Sequence, residues 1–376
     1  MIAKKTRIRI CFVLSHLPQG GAERQTINLI RKLDPEEFDV TLVLYANQEI
    51  FYEEILQLPV RIISSPAYRK CKLIKNLKGA IFLRKILIRN QFDLIHTLLF
   101  HNGLWVRLLA PVQYSRRIIY SIRNSLEQSS FFERSVEKLL HGRSVTVTNS
   151  HFVLEQYKKI VGDCSSESCL TIYNGIETDK FISDESPNLG KYIVIGTIGR
   201  QTLLKNHIQL LRVVKELRHE VPLHLYIIGD SDQDCFKANS EYVNLNGLDN
   251  IVTILDSQQD IENYYKKFNI FVLSSLSESC PNVMFEAMLA KCLCVVSQGS
   301  NKDRFINDGL NGFEYDGTDQ MLKEKLILAT RKLEMHSVTS ILINAQNYVL
   351  ENFSINNMVN SYTSLYFETY ERARIK

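Results

Sequence analysis

A chain of 376 residues exceeds the size at which a single hydrophobic core stops growing, so two domains are expected. With 45% hydrophobic and 23% charged residues, the composition is that of an ordinary globular protein and excludes disordered and collagenous classes. The net charge of +4 hides a division, +10 over residues 1–176 against −6 over the rest, so the first half is expected to meet something anionic.

The chain opens with basic residues and an apolar run, "MIAKKTRIRICFVLSHLPQGG". The run is short, contains Arg9 and ends in a turn without a small-residue cleavage site, so it reads as a first buried strand rather than a signal peptide. Further strands follow at "FDVTLVLYA", "VRIIS", "DLIHTLL", "RIIYSI", "SVTVTNS" and "LTIYNG". After the first strand, Gly20 and Gly21 open a helix, "AERQTINLIRKL", whose Ile27, Leu29, Ile30 and Leu33 fall at helical spacing. The two glycines serve either a turn needing positive φ or the close approach of another molecule. Residues 68–90 contain eight basic residues and no acid, interleaved with Leu73, Leu77, Ile81 and Ile86. That pattern fits an amphipathic helix on anionic lipid, or a core-packed helix with a solvated basic face.

A polar segment, "IETDKFISDESPNLGK", with Pro187 and Gly190, reads as a linker. Strands then resume at "YIVIGTIG", "LHLYIIGD", "IVTILDS", "IFVLSSL", "LCVVSQ" and "GFEYD". Strands alternating with helical patterns predict an α/β class with two doubly wound parallel sheets and a cleft between them. The expected domains are 1–176 and 177–360, with a terminal helix at about 361–376 returning to the first.

Ligands in such sheets gather at the carboxyl ends of strands, which gives the loops there priority. "GTIGRQTLLKNH" carries Arg200 and Lys205, either a solvated basic turn or a grip for a diphosphate. "IIGDSDQD" sets Asp230, Asp232 and Asp234 at alternate positions, and without a further ligand nearby it reads as a polar turn rather than a metal site. "SSLSESCPNVMFEAM" places Glu278 before, and Glu286 within, a helix expected to begin at Pro281. Because helical side chains lean toward the amino end, both acids can border one helix mouth near Asn282 and Val283. A solvated loop acid and an ordinary helix-surface Glu would give the same spacing. The eight cysteines show no C-x-x-C pair, so reduced thiols are expected, with no disulfide framework or metal site.

Taken together, "GGAER" at 20–24, "YNGIETDKF" at 173–181, "IGR" with "KN" at 198–206, "IIGD" at 227–230, the E-x7-E "ESCPNVMFE" at 278–286 and "NDGLNGFEYDGTD" at 307–319 resemble the family-four retaining glycosyltransferases of GT-B fold. The resemblance implies two Rossmann-like domains, a nucleotide-sugar donor and no metal or other cofactor. It implies that Arg200 and Lys205 grip the diphosphate, that Gly20 and Gly21 let the first domain's loop approach it, and that Asn282 and Val283 offer backbone N–H groups. Glu286 would hold the ribose and Glu278 the donor sugar. Where many relatives carry a His after the fifth strand this chain has Arg123 and Asn124; these, with His96 and His101, are the acceptor-side candidates. The implied activity is transfer of a sugar, expected to be UDP-linked, to a saccharide or lipid-linked acceptor in surface polysaccharide synthesis. The enzyme is expected in the cytoplasm or at the inner face of its membrane, with residues 68–90 on anionic lipid and no nucleic acid as partner. A GT-B binding protein without catalysis is the alternative reading. A nucleotide-sugar-modifying enzyme would need an N-terminal G-x-x-G-x-x-G, which is lacking.

Overall fold

Parallel strands buried on both faces read as near-continuous apolar runs, and each of the thirteen runs named above forms one. The computed structural model describes residues 7–15, 20–46, 55–65, 72–127, 129–185, 189–230 and 233–375. Residues 16–19 and 68–71, Pro187 and Asp232, which figure in the readings above, lie outside the described residues.

The first sheet contains β1 (Ile8–Leu14), β2 (Phe38–Leu44), β3 (Arg61–Ser64), β4 (Leu94–Leu98), β5 (Ile118–Ile122), β6 (Ser144–Thr148) and β7 (Cys169–Thr171), in the order β3-β2-β1-β4-β5-β6-β7. Its crossovers include α1 (Gly21–Lys32), α2 (Lys72–Arg89), α3 (Phe100–Leu109), α4 (Phe131–Leu140) and α5 (His151–Val161). Ile27, Leu29 and Ile30 turn α1 onto a core shared with Ile8, Ile10 and Phe12 of β1.

The chain next makes α6 (Thr178–Phe181), inside the segment read as a linker. Phe181 is buried there with its ring 5.8 Å from that of Tyr265, and one such aromatic is enough to fix an otherwise charged stretch. The second sheet follows: β8 (Ile193–Ile198), β9 (Leu223–Ile228), β10 (Val252–Leu255), β11 (Ile270–Leu273), β12 (Leu293–Ser297) and β13 (Phe313–Tyr315), in the order β10-β9-β8-β11-β12-β13. Around it run α7 (His207–Leu217), α8 (Gln233–Leu245), α9 (Ile261–Tyr265), α10 (Asn282–Leu289), α11 (Asp319–Glu334) and α12 (Thr339–Asn352). Every strand pair in both sheets is parallel.

The last helix, α13 (Ile355–Ile375), begins six residues before the expected position and joins the first core. Tyr362 and Tyr366 are fully buried against it. Two compact units result: residues 1–175 with 355–376, and residues 176–354.

Candidate active site

Where strand order reverses in a parallel sheet, neighbouring loops diverge to opposite faces and leave a crevice at the carboxyl ends. In the second unit this point falls between β8 and β11, and the loops leaving those two strands carry the residues of interest. After β8 the chain makes a 3₁₀ turn at Leu203–Lys205, then passes through Asn206 at φ 53°, a left-handed conformation that Asn tolerates, to enter α7. The loop after β11 is stitched to that turn. Ser274 Oγ donates to the Lys205 carbonyl at 3.0 Å, and Leu276 N to the Leu204 carbonyl at 2.8 Å.

This stitching brings Lys205 Nζ within 2.5 Å of Glu278 Oε1, 73 residues away in sequence. Both side chains remain partly open, 21% and 15% exposed, so an arriving anion can reach the ammonium. Backbone approach fixes the arrangement from two sides. A Cβ on Gly229 would lie 2.2 Å from the Gly199 carbonyl oxygen, and one on Gly299 would lie 2.3 Å from that of Leu276, so neither position accepts a larger residue unshifted. Glu278 N in turn donates to the Gly299 carbonyl at 3.2 Å. Arg200, just beyond β8, is exposed and makes no side-chain hydrogen bond or ion pair among the described residues. Its charge is available to a ligand.

Pro281 caps α10 rather than opening it, leaving Asn282 and Val283 as the first two helical residues. Their N–H groups are among those that a helix leaves without internal partners. One turn on, Glu286 Oε2 accepts from Tyr265 Oη at 2.7 Å, and the same hydroxyl lies 3.2 Å from the Val283 carbonyl. Burial pushes the Glu286 carboxyl up to about 7, against the hydrogen bond from Tyr265 and the charge of Lys180, which pull it down. Lys180 sits on α6, 3.3 Å from Glu262 Oε2. Sequence reasoning assigned no part to Tyr265 or Lys180, although "ETDKF" is among the stretches carrying the resemblance.

At the carboxyl ends of the first sheet the outcome differs from the reading. His96, an acceptor-side candidate, is fully buried. Its Nδ1 is 2.7 Å from Tyr366 Oη and its Nε2 2.9 Å from Ser121 Oγ, while burial and then the charge of Arg123 lower its pKa to about 3. It is a core histidine with both nitrogens engaged. Arg123 is also buried, bonded to Asn174 and to Tyr362 Oη, so it ties the end of β5 to the 173–175 loop and to α13. Arg123 and the exposed Asn124 nevertheless line a cavity of about 180 Å³ with Ser125, Ser129 and Arg134. Its inner wall includes Glu137, whose carboxylate meets Arg107 in two bonds of 2.7 and 2.8 Å. His101 is exposed and accepts from Trp105 Nε1 at 3.2 Å.

Gly20 caps α1 in an extended conformation, φ −130°, so positive φ does not explain it. A Cβ there would press on the flexible Glu23 side chain, whereas one on Gly21 would meet nothing within 4 Å. Asp230 and Asp234 are exposed, and no group of three metal-ligating side chains occurs among the described residues. The cysteine reading is corrected at one place: Cys164 and Cys169 form a disulfide. The four intervening residues carry no spacing signal, and the close approach comes from the turn that leads into β7. Cys11, Cys292 and Cys294 are buried.

The family model described as Glycosyltransferase Family 4 matches residues 19–180, and that described as Glycosyl transferases group 1 matches residues 192–331. The chain is a glycosyltransferase. This glycosyltransferase is 22% identical to the UDP-Gal:alpha-D-GlcNAc-diphosphoundecaprenol alpha-1,3-galactosyltransferase of Escherichia coli, over 98% of this chain and 99% of that one. It is also 22% identical to the capsular polysaccharide biosynthesis glycosyltransferase CapH of Staphylococcus aureus, over 80% of this chain and 85% of the relative. Among solved structures, Anabaena Alr3699/HepE in complex with UDP and glucose superposes with a TM-score of 0.79 at 19% identity, covering 95% of this chain and 99% of the other. A glycosyltransferase from Rickettsia africae superposes at 0.80, with 18% identity and 96% and 98% coverage. The glycosyltransferase thus has two Rossmann-like, parallel-sheet domains of the GT-B class.

Proposed function

We propose that the enzyme moves a sugar from a UDP-sugar to a lipid-linked saccharide in surface-polysaccharide assembly, with retention of anomeric configuration and without a metal. The observation that carries this is the half-open Lys205–Glu278 pair beside the amino end of α10, with Arg200 exposed nearby in sequence. Breaking the bond between sugar and phosphate places negative charge on the departing diphosphate and positive charge on the anomeric carbon. Arg200, Lys205 and the first N–H groups of α10 meet the negative charge, and preorganised donors of this kind lower the barrier. Glu278 aims Lys205 and reaches the hydroxyls of the donor sugar. Glu286, oriented by Tyr265, accepts from the ribose hydroxyls. No covalent nucleophile is assigned, so attack on the same face, assisted by the leaving phosphate, accounts for retention.

The donor and acceptor classes rest on the relatives' names. These include UDP-Gal and diphosphoundecaprenol for the Escherichia coli enzyme and a lipid-diphosphate-linked oligosaccharide for an N-acetylgalactosaminyltransferase of Campylobacter jejuni. The acceptor saccharide belongs to the first unit, at the cavity bordered by Arg123 and Asn124. Among the described residues no helix is long and apolar enough to cross a membrane. A surface contact has a basis in α2. Ala80, Leu83 and Leu87 face the core, while Leu77, Ile81 and Ile88 are 63%, 61% and 53% exposed, so the helix has a second apolar face among its basic residues.

Turnover of UDP-sugars on a prenyl-diphosphate saccharide tests the reading. Arg200→Ala and Lys205→Ala should each lose roughly a hundredfold, about 3 kcal/mol of transition-state stabilisation, with circular dichroism unchanged. Full activity in either folded variant overturns it. Product NMR reads the anomeric configuration, and persistence of turnover in chelator reads the metal independence. Thermal shifts with UDP-, GDP- and ADP-sugars select the base, since a ligand at a hundred times its Kd adds about 2.7 kcal/mol. Sedimentation with anionic and neutral vesicles tests α2; equal partitioning removes the membrane contact.

A further inference from the structure

The carboxyl ends of the strands do not account for every cavity of the first unit. At the opposite, amino ends of β5, β6 and β7 lies a space of about 760 Å³, bounded by the last turns of α13 and by the 163–168 loop that the Cys164–Cys169 disulfide closes. Cavities of this size hold small ligands, whereas a water molecule's share of liquid volume is about 30 Å³. The five residues of β5 separate this space from the Arg123 end by about 15 Å, so it is distinct from the crevice described above.

One feature of its lining points to a ligand. Three guanidinium groups, Arg116, Arg117 and Arg372, share the lining with the carboxylates of Asp163 and Glu167. Arg117 uses one N–H on the Ala373 carbonyl, and Arg372 spends donors on the Glu167 carbonyl and on Glu368. With five N–H donors per guanidinium, capacity remains on each. Arg116 is exposed and its backbone is held at φ 63°, a conformation that bulky side chains seldom adopt.

We propose that this cavity is a second binding site, for a small phosphorylated ligand whose oxyanion is held by the guanidinium groups. Planar guanidinium donors match phosphate oxygens in pairs, and a phosphorylated saccharide would also satisfy the rim carboxylates through its hydroxyls.

The test uses the full chain carrying Arg200→Ala and Lys205→Ala, so that the donor crevice no longer holds phosphate. Titration calorimetry with hexose 1-phosphate, and separately with inorganic phosphate, should show one site per chain, with chloride at equal ionic strength as control. Arg116→Asn, which suits the left-handed backbone, should weaken binding at least tenfold. Arg372→Gln should weaken it likewise and diminish the midpoint shift that hexose 1-phosphate produces, with circular dichroism unchanged. Saturable binding of inorganic phosphate and hexose 1-phosphate with equal affinity narrows the ligand to its phosphate and supports the site; tighter binding of the sugar phosphate supports the saccharide contacts. Absence of saturable binding in the Arg200→Ala, Lys205→Ala chain, or binding indifferent to both further substitutions, overturns the proposal.

Discussion

Two ion pairs, one from each unit, are built for opposite purposes. Arg107 and Glu137 in the first unit are 0% and 3% exposed, and two short bonds join them. The Arg107 guanidinium lies 4.1 Å from the centroid of the Tyr120 ring, whose hydroxyl donates to the same carboxylate at 3.2 Å. Burial alone would lower the Arg107 pKa, but the hydrogen bonds and charge of Glu137 reverse the effect and hold it above the usual value. Lys205 and Glu278 in the second unit share a single short contact and stay partly in water. A charge desolvated on every side needs its partner permanently; a charge left at the surface of a crevice can exchange its partner for a ligand.

Breaking each pair should separate these roles. Arg107→Met leaves Glu137 buried without its counter-ion and should cost about 3–5 kcal/mol in urea unfolding, while adding Glu137→Leu should return most of that loss. If the single substitution costs less than about 1 kcal/mol, the closed pair is no more structural than the open one. Lys205→Ala should reverse the pattern: a change in stability below about 1 kcal/mol, beside the roughly hundredfold fall in kcat/KM given above. A loss of stability equal to that in Arg107→Met would erase the contrast.

A smaller effect is expected from Gly103→Ala on α3. A Cβ at this position would fall 2.3 Å from the Tyr120 ring that covers Arg107, so overpacking should cost about 1–3 kcal/mol by chemical denaturation without altering donor binding. The subtlest test concerns Glu286, whose carboxyl has a folded pKa of about 7, raised above the usual 4.5. In that case the native state binds the extra proton between those values, and the stability it contributes is full below about pH 4.5 and lost as pH rises through 7. Glu286→Gln should therefore gain thermal midpoint relative to the parent chain at pH 8 compared with pH 5. Donor KM in the parent should rise as pH falls below about 7, because a protonated carboxyl is a poorer acceptor for ribose hydroxyls. A midpoint difference independent of pH would show that Glu286 is not held as described.

Much of the architecture could be read from local patterns. Strands covered on both faces must be apolar along their whole length, and for that reason "IRICFVLS" and "LCVVSQ" stood out without any knowledge of their neighbours. Lys205 and Glu278 were each legible as loop residues after strands, but nothing local says that the two loops touch; that follows from β8 and β11 becoming neighbours at the reversal of strand order. His96 shows the opposite case. A histidine near the end of a strand reads equally as an acceptor contact or as a structural residue until Tyr366, 270 residues later, occupies its Nδ1. Phe181 was hidden in a run of charges, and the bond between Cys164 and Cys169 lacked a spacing signal.

The order of residues alone therefore determined the element types, the repeated α/β pattern and the chemistry carried at each strand end, since these depend on periodicity and on neighbours a few positions apart. Tertiary structure decided which of those charges are sealed and which stay open, because burial and pairing are set by side chains from distant segments. Arg107 and Lys205 both look like ordinary basic residues in the chain; only the surroundings that the fold supplies make one a structural tie and leave the other reachable by a phosphate.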